Sequence, residues 1–583
     1  MTRPGPRIRR RTLATTGQWP DAMPSLLQRI YAGRGATSIE QAQPKLAQLL
    51  PPDTLGGLDA ATALLADAIA QGKHIVVVGD FDCDGATACA VGVRGLRMLG
   101  ATRVTPAVPN RMVHGYGLSP AMVEELVGLE PDLLVTVDHG INCHAGISAA
   151  KALGWQVLVT DHHLPGDALP PADAIVNPNC RGDVFPSKML AGVGVMFYVL
   201  LALRRRLRDS APALQTEADL STLLDLVAVG TVADLVPLDV NNRALVGAGL
   251  RRLRAGQGCA GLRALIEVSG REAAKLTAAD IGFAIAPRLN AAGRLEDMAI
   301  GIECLLTDDA LQATELANLL HGINAERRGV QQQMTDEAES ALARFGHDID
   351  GQVPIALCLF DPEWHPGVVG LVASKMKEKL HRPVIAFAPA EPGSSTLRGS
   401  ARSIPGFHIR DALAAVDSAH PALMGKFGGH AMAAGLSLDE SDLAKFEAAF
   451  REHAAGVLDP AMLQAELLSD GELAASEFAS SHAEALRNAG PWGQGFGEPL
   501  FDGEFEVVDW RVVGERHLKL TLRVEGRREP LNAIHFGGWH DQPPATRVHL
   551  AYRLVPDDYR GGTAIQLIVE HCEPVGHDGI RLN

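Results

Sequence analysis

Three aspartates at alternate positions, Asp80, Asp82 and Asp84, form the segment with the clearest chemical meaning. They follow the apolar run Val76–Val78 directly and are bracketed by two glycines. Carboxylates this close repel one another unless a cation neutralises them, so a hard divalent metal ion is the expected occupant. The glycines allow the backbone to turn sharply around such an ion.

Three other interpretations of this acidic loop stay open at this point. An EF-hand calcium loop would need Glu at its twelfth position, where this chain has Val91, and it would follow a helix. The stretch Asp82–Thr87 resembles the nucleophile loop of haloacid-dehalogenase-type phosphatases, but no clear downstream acidic pair of that family is present. An ordinary solvated acidic loop is the third interpretation. The remaining polar residues decide between them.

Two more apolar runs are followed by Asp and His, residue types that commonly bind metals. Leu133–Val137 is followed by Asp138-His139-Gly140, and Val157–Thr160 is followed by Asp161-His162-His163. The carboxyl ends of parallel strands converge on one crevice, so we expect these residues to meet the acidic loop there. Asp234 is a further candidate, because its apolar surroundings make an unpaired charge costly. A structural salt bridge is the alternative interpretation for Asp234.

The elements that must position these residues follow from hydrophobic patterning. The runs Ile75–Gly79, Leu133–Val137, Val157–Thr160 and Ala174–Val176 are continuously apolar, with helical stretches between the first three, which predicts a parallel α/β sheet. Apolar residues at helical spacing predict a long helix over about 308–344, although Gly322 and Gly329 weaken that prediction. A second α/β pattern begins near residue 353, and from about residue 500 short alternating runs indicate a small β barrel.

Length and composition limit the number of domains and the class of protein. The 583 residues suggest three or four domains, and 46% hydrophobic with 21% charged residues indicates a globular protein. The net charge of −16 argues against a basic coat for nucleic acid, though not against a local basic channel. The eight scattered cysteines suit free thiols in a reducing cytoplasm, and no apolar stretch is long enough for a membrane span. The Arg-rich start, residues 1–11, is predicted to be a solvated tail, with phosphate contact as the alternative.

The four polar segments resemble the four motifs of the DHH phosphoesterase superfamily in order, spacing and strand context. That resemblance implies two Mn²⁺ or Mg²⁺ ions, with Asp138 bridging them. It also implies that Asp161 orients a neighbouring imidazole, that His163 contacts the scissile phosphate, and that Asp80 is a ligand or holds the site in shape. The metal ligands implied in this way are Asp82, Asp84, Asp138, His162 and Asp234. Two such cations would activate a water molecule, so no Ser or Cys nucleophile is required.

Other segments resemble one branch of that superfamily, the RecJ-type exonucleases. The resemblance places the loop Pro109–Gly117, the segment Ala286–Leu295, Arg398–Ser403 and Gly428–Gly435 on the substrate path, and an OB-like domain after Gly490–Pro499. Ser400, Arg402 and His430 are expected to hold the terminal 5′ phosphate and the first nucleotides. The full set of expected nucleic-acid contacts is Arg111, Tyr116, Arg288, Asn290, Arg398, Ser400, Arg402, Gly428, Gly429 and His430.

The resemblance predicts a parallel-sheet DHH domain (51–305) after an N-terminal segment (1–50), then a connecting helix (306–349), a smaller α/β DHH-associated domain (350–458) and a β-rich OB-like domain (459–583). It implies a cytoplasmic, monomeric 5′→3′ exonuclease that releases 5′ mononucleotides from single-stranded DNA in repair and recombination. A single-strand-binding protein and a helicase are the implied partners. Two rivals stay open: a phosphodiesterase for short oligonucleotides or cyclic dinucleotides, and an inert single-strand-binding replication scaffold.

Overall fold

The computed structural model describes residues 5–13, 17–110, 117–210, 218–348 and 354–575. The chain forms two compact units. We call Thr12–Asn324 with Ser480–Pro499 the catalytic unit, and Met1–Arg11 with Ala325–Ala479 and Leu500–Asn583 the second unit. None of the helices in these described ranges is long and apolar enough to cross a membrane.

The strands, in chain order, are β1 Arg7–Arg10, β2 Ile75–Val78, β3 Val104–Ala107, β4 Leu133–Val137, β5 Gln156–Thr160, β6 Ala174–Val176, β7 Leu357–Phe360, β8 Val384–Pro389, β9 Thr396–Arg402, β10 Phe427–Gly429, β11 Ala433–Asp439, β12 Glu466–Ser469, β13 Phe501–Val513, β14 His517–Arg523, β15 Leu531–His535, β16 Arg547–Pro556 and β17 Ile565–Pro574. The α-helices are α1 Ser25–Ala32, α2 Ile39–Ala42, α3 Leu58–Ala70, α4 Cys83–Met98, α5 Pro120–Leu126, α6 His144–Ala152, α7 Gly192–Ser210, α8 Leu224–Ala233, α9 Val240–Arg254, α10 Ala260–Val268, α11 Ala278–Asp280, α12 Ala286–Leu295, α13 Ala299–Leu306, α14 Ala310–Asp348, α15 Val369–Leu380, α16 Ile409–Ala419, α17 Leu443–Val457 and α18 Ser480–Asn488.

A five-stranded, all-parallel sheet in the order β3-β2-β4-β5-β6 forms the centre of the catalytic unit. Every residue of β2 and β4 is buried, which explains why their sequences are continuously apolar. The parallel α/β fold predicted from the sequence is therefore confirmed. Edge strand β3 was not predicted, because its four residues Val-Thr-Pro-Ala include a proline and only the first of them is fully buried.

Helices α4 and α7 pack against the sheet, α8 packs on these two helices, and α9 packs on α8. Nearly all of α8 is buried, so its sequence is apolar on every side. Gly249 of α9 lets the two helices approach closely, since a Cβ there would lie 2.1 Å from the carbonyl oxygen of Leu224. Helix α8 is thereby held rigidly, and its carboxyl end presents Asp234.

The second unit contains a mixed five-stranded sheet, β10-β11-β9-β8-β7, and a closed barrel, β13-β14-β15-β17-β16. Phe387, Phe446 and Phe450 lie in the core between the mixed sheet and helices α16 and α17. The barrel confirms the β-rich, OB-like domain expected from the sequence. Helix α14 is continuous, and neither Gly322 nor Gly329 interrupts it.

The Arg-rich start is not a solvated tail, so that expectation was wrong for the residues that can be described. Arg7–Arg10 form strand β1, which pairs in parallel with β12. Arg10 bonds the buried carboxylate of Asp502 at 2.8 Å. Asp502 also accepts hydrogen bonds from Ser469 and from His549. The arginines here fasten the chain start to the second unit.

Candidate functional site

The acidic and imidazole residues lie where strands of the catalytic sheet end. The loop after β2 carries Asp80 and Asp82, β4 is followed by Asp138, and β5 by Asp161, His162 and His163. Asp82 caps the amino end of α4, because its Oδ1 accepts the Gly85 N–H at 3.0 Å. The parallel topology thus brings residues from three separate sequence segments to one edge of the sheet.

Their side chains form overlapping clusters. The oxygens of Asp80, Asp82 and Asp138 lie within 4.8 Å of one another, as do ligand atoms of Asp84, His162 and Asp234. A third group of the same size consists of Asp138, His162 and His163. His162 Nε2 lies 3.1 Å from Asp138 Oδ1 and 3.5 Å from Asp234 Oδ2. The structure therefore brings together all the residues expected to bind metal.

The electrostatics of this cluster suit a cation. Burial and neighbouring carboxylates raise the pKa of Asp138 and of Asp234 well above the ordinary range. The same two causes raise the pKa of Asp84 to about 7. Asp138 Oδ1 and Asp234 Oδ2 are buried and accept no hydrogen bond from the described residues. Carboxylate oxygens placed this way are costly without a positive partner, so a divalent metal ion fits the site.

Asp138 has an unusual backbone conformation, with φ at 66°. Few non-glycine residues adopt this left-handed conformation, and it costs about 1–3 kcal/mol unless the surroundings enforce it. The Asp138 N–H donates to the Thr160 carbonyl at 3.0 Å, which extends the pairing of β4 with β5 past the strand end. The turn aims the carboxylate into the cluster.

Asp161 lies beneath the two histidines and binds their backbone. Its Oδ1 accepts from the His162 and His163 N–H groups and from His163 Nδ1 at 2.8 Å, and its Oδ2 accepts from Ile141 N–H. Burial alone would raise the pKa of Asp161, but the bonds from His163 outweigh it and lower the pKa to about 2. Burial opposes protonation of His163, yet Asp161 raises the pKa of this imidazole. The bond at Nδ1 fixes the orientation of the imidazole ring.

Asp84 is fully buried and also binds the start of α7. Its two oxygens accept the N–H groups of Gly192 at 2.6 Å and Val193 at 3.0 Å. A Cβ on Gly192 would lie 2.5 Å from the Cβ of Asp138, and a Cβ on Gly230 would lie 2.7 Å from Asp84 Oδ1. Sequence reasoning missed both glycines, because nothing in their spacing marks a close approach.

Asn177 and Asn179 were also missed. They donate side-chain hydrogen bonds to the carbonyl oxygens of His163 at 2.8 Å and His162 at 2.6 Å. Both directly follow β6, the fourth predicted strand. The rule that polar residues at strand ends converge could therefore have found them.

The expected nucleic-acid contacts of the catalytic unit divide into two pairs. Arg111 and Tyr116 lie outside the described residues. Arg288 is buried, and it bonds the Ala284 carbonyl and His321 Nδ1. Asn290 Oδ1 accepts the Cys83 N–H at 2.8 Å, so this amide supports the acidic loop directly. Their contact with nucleic acid stays a prediction.

The other expected contacts lie on the mixed sheet of the second unit. Ser400 of β9 pairs with Gly435, which pairs with Gly428 of β10, so a row of small residues crosses three strands. Arg402 donates to Ser400 Oγ at 3.0 Å and to Ser374 Oγ at 3.1 Å. The residues of this set that are exposed on the surface are Arg398, Gly428, Gly429 and His430. The face combines cations with backbone close to the surface, an arrangement that suits phosphate.

Comparison with known proteins identifies the family independently of the geometry. Family models match three parts of the chain: the N-terminal domain of the DHH family at residues 74–231, the DHHA1 domain at 351–456 and the RecJ OB domain at 469–571.

Among curated relatives, the single-stranded-DNA-specific exonuclease RecJ of Escherichia coli is 48% identical over 575 residues, which are 97% of this chain and 99% of the relative. RecJ of Bacillus subtilis is 32% identical, covering 94% of this chain and 67% of the relative. The crystal structure of RecJ in complex with Mn²⁺ from Thermus thermophilus aligns with a TM-score of 0.77 at 34% identity, covering 94% of this chain and 76% of that chain. This chain therefore belongs to the RecJ family of DHH proteins.

Proposed function

We propose that this chain is a metal-dependent exonuclease that degrades single-stranded DNA. The observation that carries the proposal is the buried cluster of Asp138, His162 and Asp234 with the acidic loop, in a chain that matches RecJ relatives over nearly its whole length. Curated relatives bear the name single-stranded-DNA-specific exonuclease, and one related structure holds Mn²⁺ while another holds Mg²⁺. A divalent metal is thus the cofactor.

We infer two metal ions. Two sets of candidate ligands support that number, because Asp80 and Asp82 group with Asp138, whereas Asp84 and His162 group with Asp234. Asp138 Oδ1 also lies 3.1 Å from His162 Nε2, so this carboxylate stands between the two sets and is the bridging ligand we propose. When bound, divalent cations stabilise the charge that develops on a phosphate and lower the pKa of a water molecule.

The protein residues around that centre have distinct tasks. Asp161 fixes the ring of His163 through Nδ1. We propose that this imidazole donates to a non-bridging oxygen of the scissile phosphate. Asn177 holds the main chain of the same histidine in place. Because these partners hold the imidazole before substrate binds, little reorganisation is needed in the transition state. His163 is then a catalytic residue that stabilises phosphate charge.

We further propose that the mixed-sheet face binds the 5′ end of the strand. Exposed Arg398 and His430 would contact phosphate, while Arg402 is held ready by Ser374 and Ser400. Cleavage would then run 5′→3′ and release 5′ mononucleotides. If this face recognises the terminal phosphate, Arg398→Met should raise KM several-fold for 5′-phosphorylated strands and leave KM for 5′-hydroxyl strands nearly unchanged.

We propose that the surface of the barrel binds the rest of the DNA strand. Trp510 and Trp539 are stacked with ring centroids 5.5 Å apart, and Trp510 remains 37% exposed. Arg511 and Lys519 lie opposite each other in register, a like-charge pair that a polyanion would stabilise. Exposed aromatic rings and cations are the features that bind bases and phosphates of single strands. Recruitment by a single-strand-binding protein, cooperation with a helicase, a monomeric state and a cytoplasmic location stay predictions.

One experiment tests the core of the proposal. Single-stranded and duplex DNA, labelled at either the 5′ or the 3′ end, are incubated with the protein in Mn²⁺, in Mg²⁺ and in a chelator. We expect metal-dependent loss of single strands, with mononucleotides released first from the 5′ label. Asp138→Asn should abolish the reaction. Degradation restricted to dinucleotides would favour the short-oligonucleotide phosphodiesterase, and binding of single strands without degradation would favour the inert scaffold.

A further inference from the structure

The segment Gly490–Glu498, which precedes the barrel in the sequence, belongs to the catalytic unit. It forms a tight turn in which the N–H of Gly493 donates to the Phe496 carbonyl at 3.0 Å and the reverse bond measures 3.1 Å. We call Gly493–Phe496 the strap. The chain on either side of Ser480–Pro499 belongs to the second unit. The contacts of the strap indicate why this short segment is part of the catalytic unit.

An aromatic and cationic cluster fastens the strap. Trp492 and Phe496 stack with centroids 5.4 Å apart, and the ring of Tyr31 lies 6.0 Å from Trp492. The guanidinium of Arg34 lies 5.2 Å over Trp492, and that of Arg243 lies 3.8 Å over Phe496. Stacked rings and buried cation–π pairs each stabilise by about 0.5–2 kcal/mol, so the strap is firmly held.

The strap binds the loop that follows Asp234. Gln494 presents its backbone carbonyl to the Leu238 N–H at 2.7 Å. The Leu238 carbonyl in turn accepts from Arg243 Nη1 at 2.5 Å. Both backbone groups of this buried residue are therefore held by the strap and its cation. A Cβ on Gly493 would lie 2.7 Å from Leu238 Cδ1, which leaves no room for a side chain at that contact.

The loop between Asp234 and Leu238 carries strain. Leu235 has φ at 61° although it is not glycine, and the residue is 71% exposed. An exposed side chain does not hold its own backbone in this unfavourable conformation, so neighbouring contacts must do so. The Pro237 carbonyl accepts a hydrogen bond from Asn242 Nδ2 at 3.0 Å, and the next residue, Leu238, is bonded to the strap.

We infer that the strap is a positioning element for the metal centre, acting through the loop to keep the Asp234 carboxylate beside Asp84 and His162. This inference rests on the proposed metal-dependent function. Among the described residues, the strap is bonded to this loop through the Leu238 N–H and the Gln494 carbonyl, so we expect its effect to pass through the Leu238 backbone. Loosening the strap should weaken metal binding, as loss of supporting groups around metal ligands commonly does by about 10-fold or more.

The test uses the full chain and Mn²⁺ alone, measured by calorimetry, with circular dichroism and thermal unfolding as checks of folding. Phe496→Ala removes the ring that anchors the strap. Gly495→Ala is a milder second variant, because Gly495 has φ at 74° and its Cβ would lie 3.3 Å from Pro237. Gly256→Ala is the matched control, since Gly256 has φ at 71° with nothing within 4 Å.

We expect Phe496→Ala and Gly495→Ala to weaken Mn²⁺ binding by about 10-fold and Gly256→Ala to leave it unchanged. Adding Phe496→Ala to Asp234→Asn should weaken binding no further, because the strap acts through that carboxylate. Folded strap variants that bind Mn²⁺ like the wild type would overturn the inference, as would additive losses in the double variant. Failure of the wild-type protein itself to bind Mn²⁺ would instead refute the proposed function.

Discussion

Gly192→Ala should disable the metal centre while leaving the protein folded. A Cβ at this position would lie 2.5 Å from Asp138 Cβ, 2.6 Å from Asp138 Oδ1 and 2.7 Å from Asp138 Cα. Ordinary contact begins at 3.4 Å, so one of the two segments must move by about 0.9 Å. Rotating the Asp138 side chain does not relieve the overlap, because the Cα is involved too.

Neither segment moves without consequence for the cluster. Asp138 is tied to Thr160 through its N–H, and the Gly192 N–H is bonded to Asp84 at 2.6 Å. A shift of either one therefore misplaces an expected ligand. Misplacement by about 1 Å costs on the order of 100-fold in rate, and overpacking costs about 1–3 kcal/mol in stability. We expect a loss of about 100-fold in the single-turnover rate on end-labelled single-stranded DNA at saturating Mn²⁺.

Gly194→Ala is the matched control two residues further along α7. Its Cβ would lie 3.2 Å from the flexible end of Leu190, a contact relieved by a few tenths of an ångström. We expect its rate to stay within about threefold of wild type, with both variants showing cooperative thermal unfolding. If Gly192→Ala retains a rate similar to that of the control, the steric argument and the role assigned to Asp138 are refuted.

Three further predictions address other parts of the molecule. Asp161→Asn should lower the exonuclease rate by about 10–100-fold with little change in single-strand affinity. An amide has one acceptor oxygen, so it loses either the bonds from the histidines or the bond from the Ile141 N–H, and it lacks the negative charge beside the His163 imidazole. Rate and binding are measured separately. Trp510→Ala should weaken binding to long single strands by about 1–3 kcal/mol, as seen by fluorescence anisotropy, and leave dinucleotide cleavage unchanged. Burial of Asp502 opposes its ionisation, yet the bonds from His549, Arg10 and Ser469 hold its pKa below the ordinary value. Because a lowered folded-state pKa contributes stability above the unfolded-state pKa, Asp502→Asn should destabilise the protein at pH 7, and the deficit should shrink below about pH 4 in thermal melts.

The sequence revealed much of the catalytic fold because burial on both faces produces a readable pattern. Strands β4 and β6 have the predicted bounds, and β5 begins one residue earlier than expected. The mixed sheet was harder to foresee. Strand β9 alternates buried Leu397, Gly399 and Ala401 with polar residues, and two of those three buried residues are small. Its hydrophobic pattern is therefore weak, although its core side packs against Phe387.

Candidate ligands could be named from the sequence, but the residues that hold them in place could not. Residue types and strand-end positions point to Asp138 and His162, and a charge in apolar surroundings points to Asp234, because metal chemistry restricts which residues serve. Close approaches carry no such signature. Gly192 matters because a Cβ at this position would lie 2.5 Å from the Cβ of Asp138. The contact of Asn290 with nucleic acid stays a prediction, but the bond that its oxygen accepts from the Cys83 N–H, 207 residues away in the chain, could not be foreseen.

Backbone strain connects these supports to the proposed chemistry. Asp138 and Leu235, at φ values of 66° and 61°, are non-glycine residues with positive φ, one at a candidate ligand and the other directly after one. Such conformations persist only where surrounding structure enforces them. The start of α7 crowds the first, and the strap anchors the loop that contains the second. Each enforcing segment is remote in sequence from the residue that it holds. Substitutions at Gly192 and in the strap are therefore expected to alter metal binding without any change in the proposed ligands.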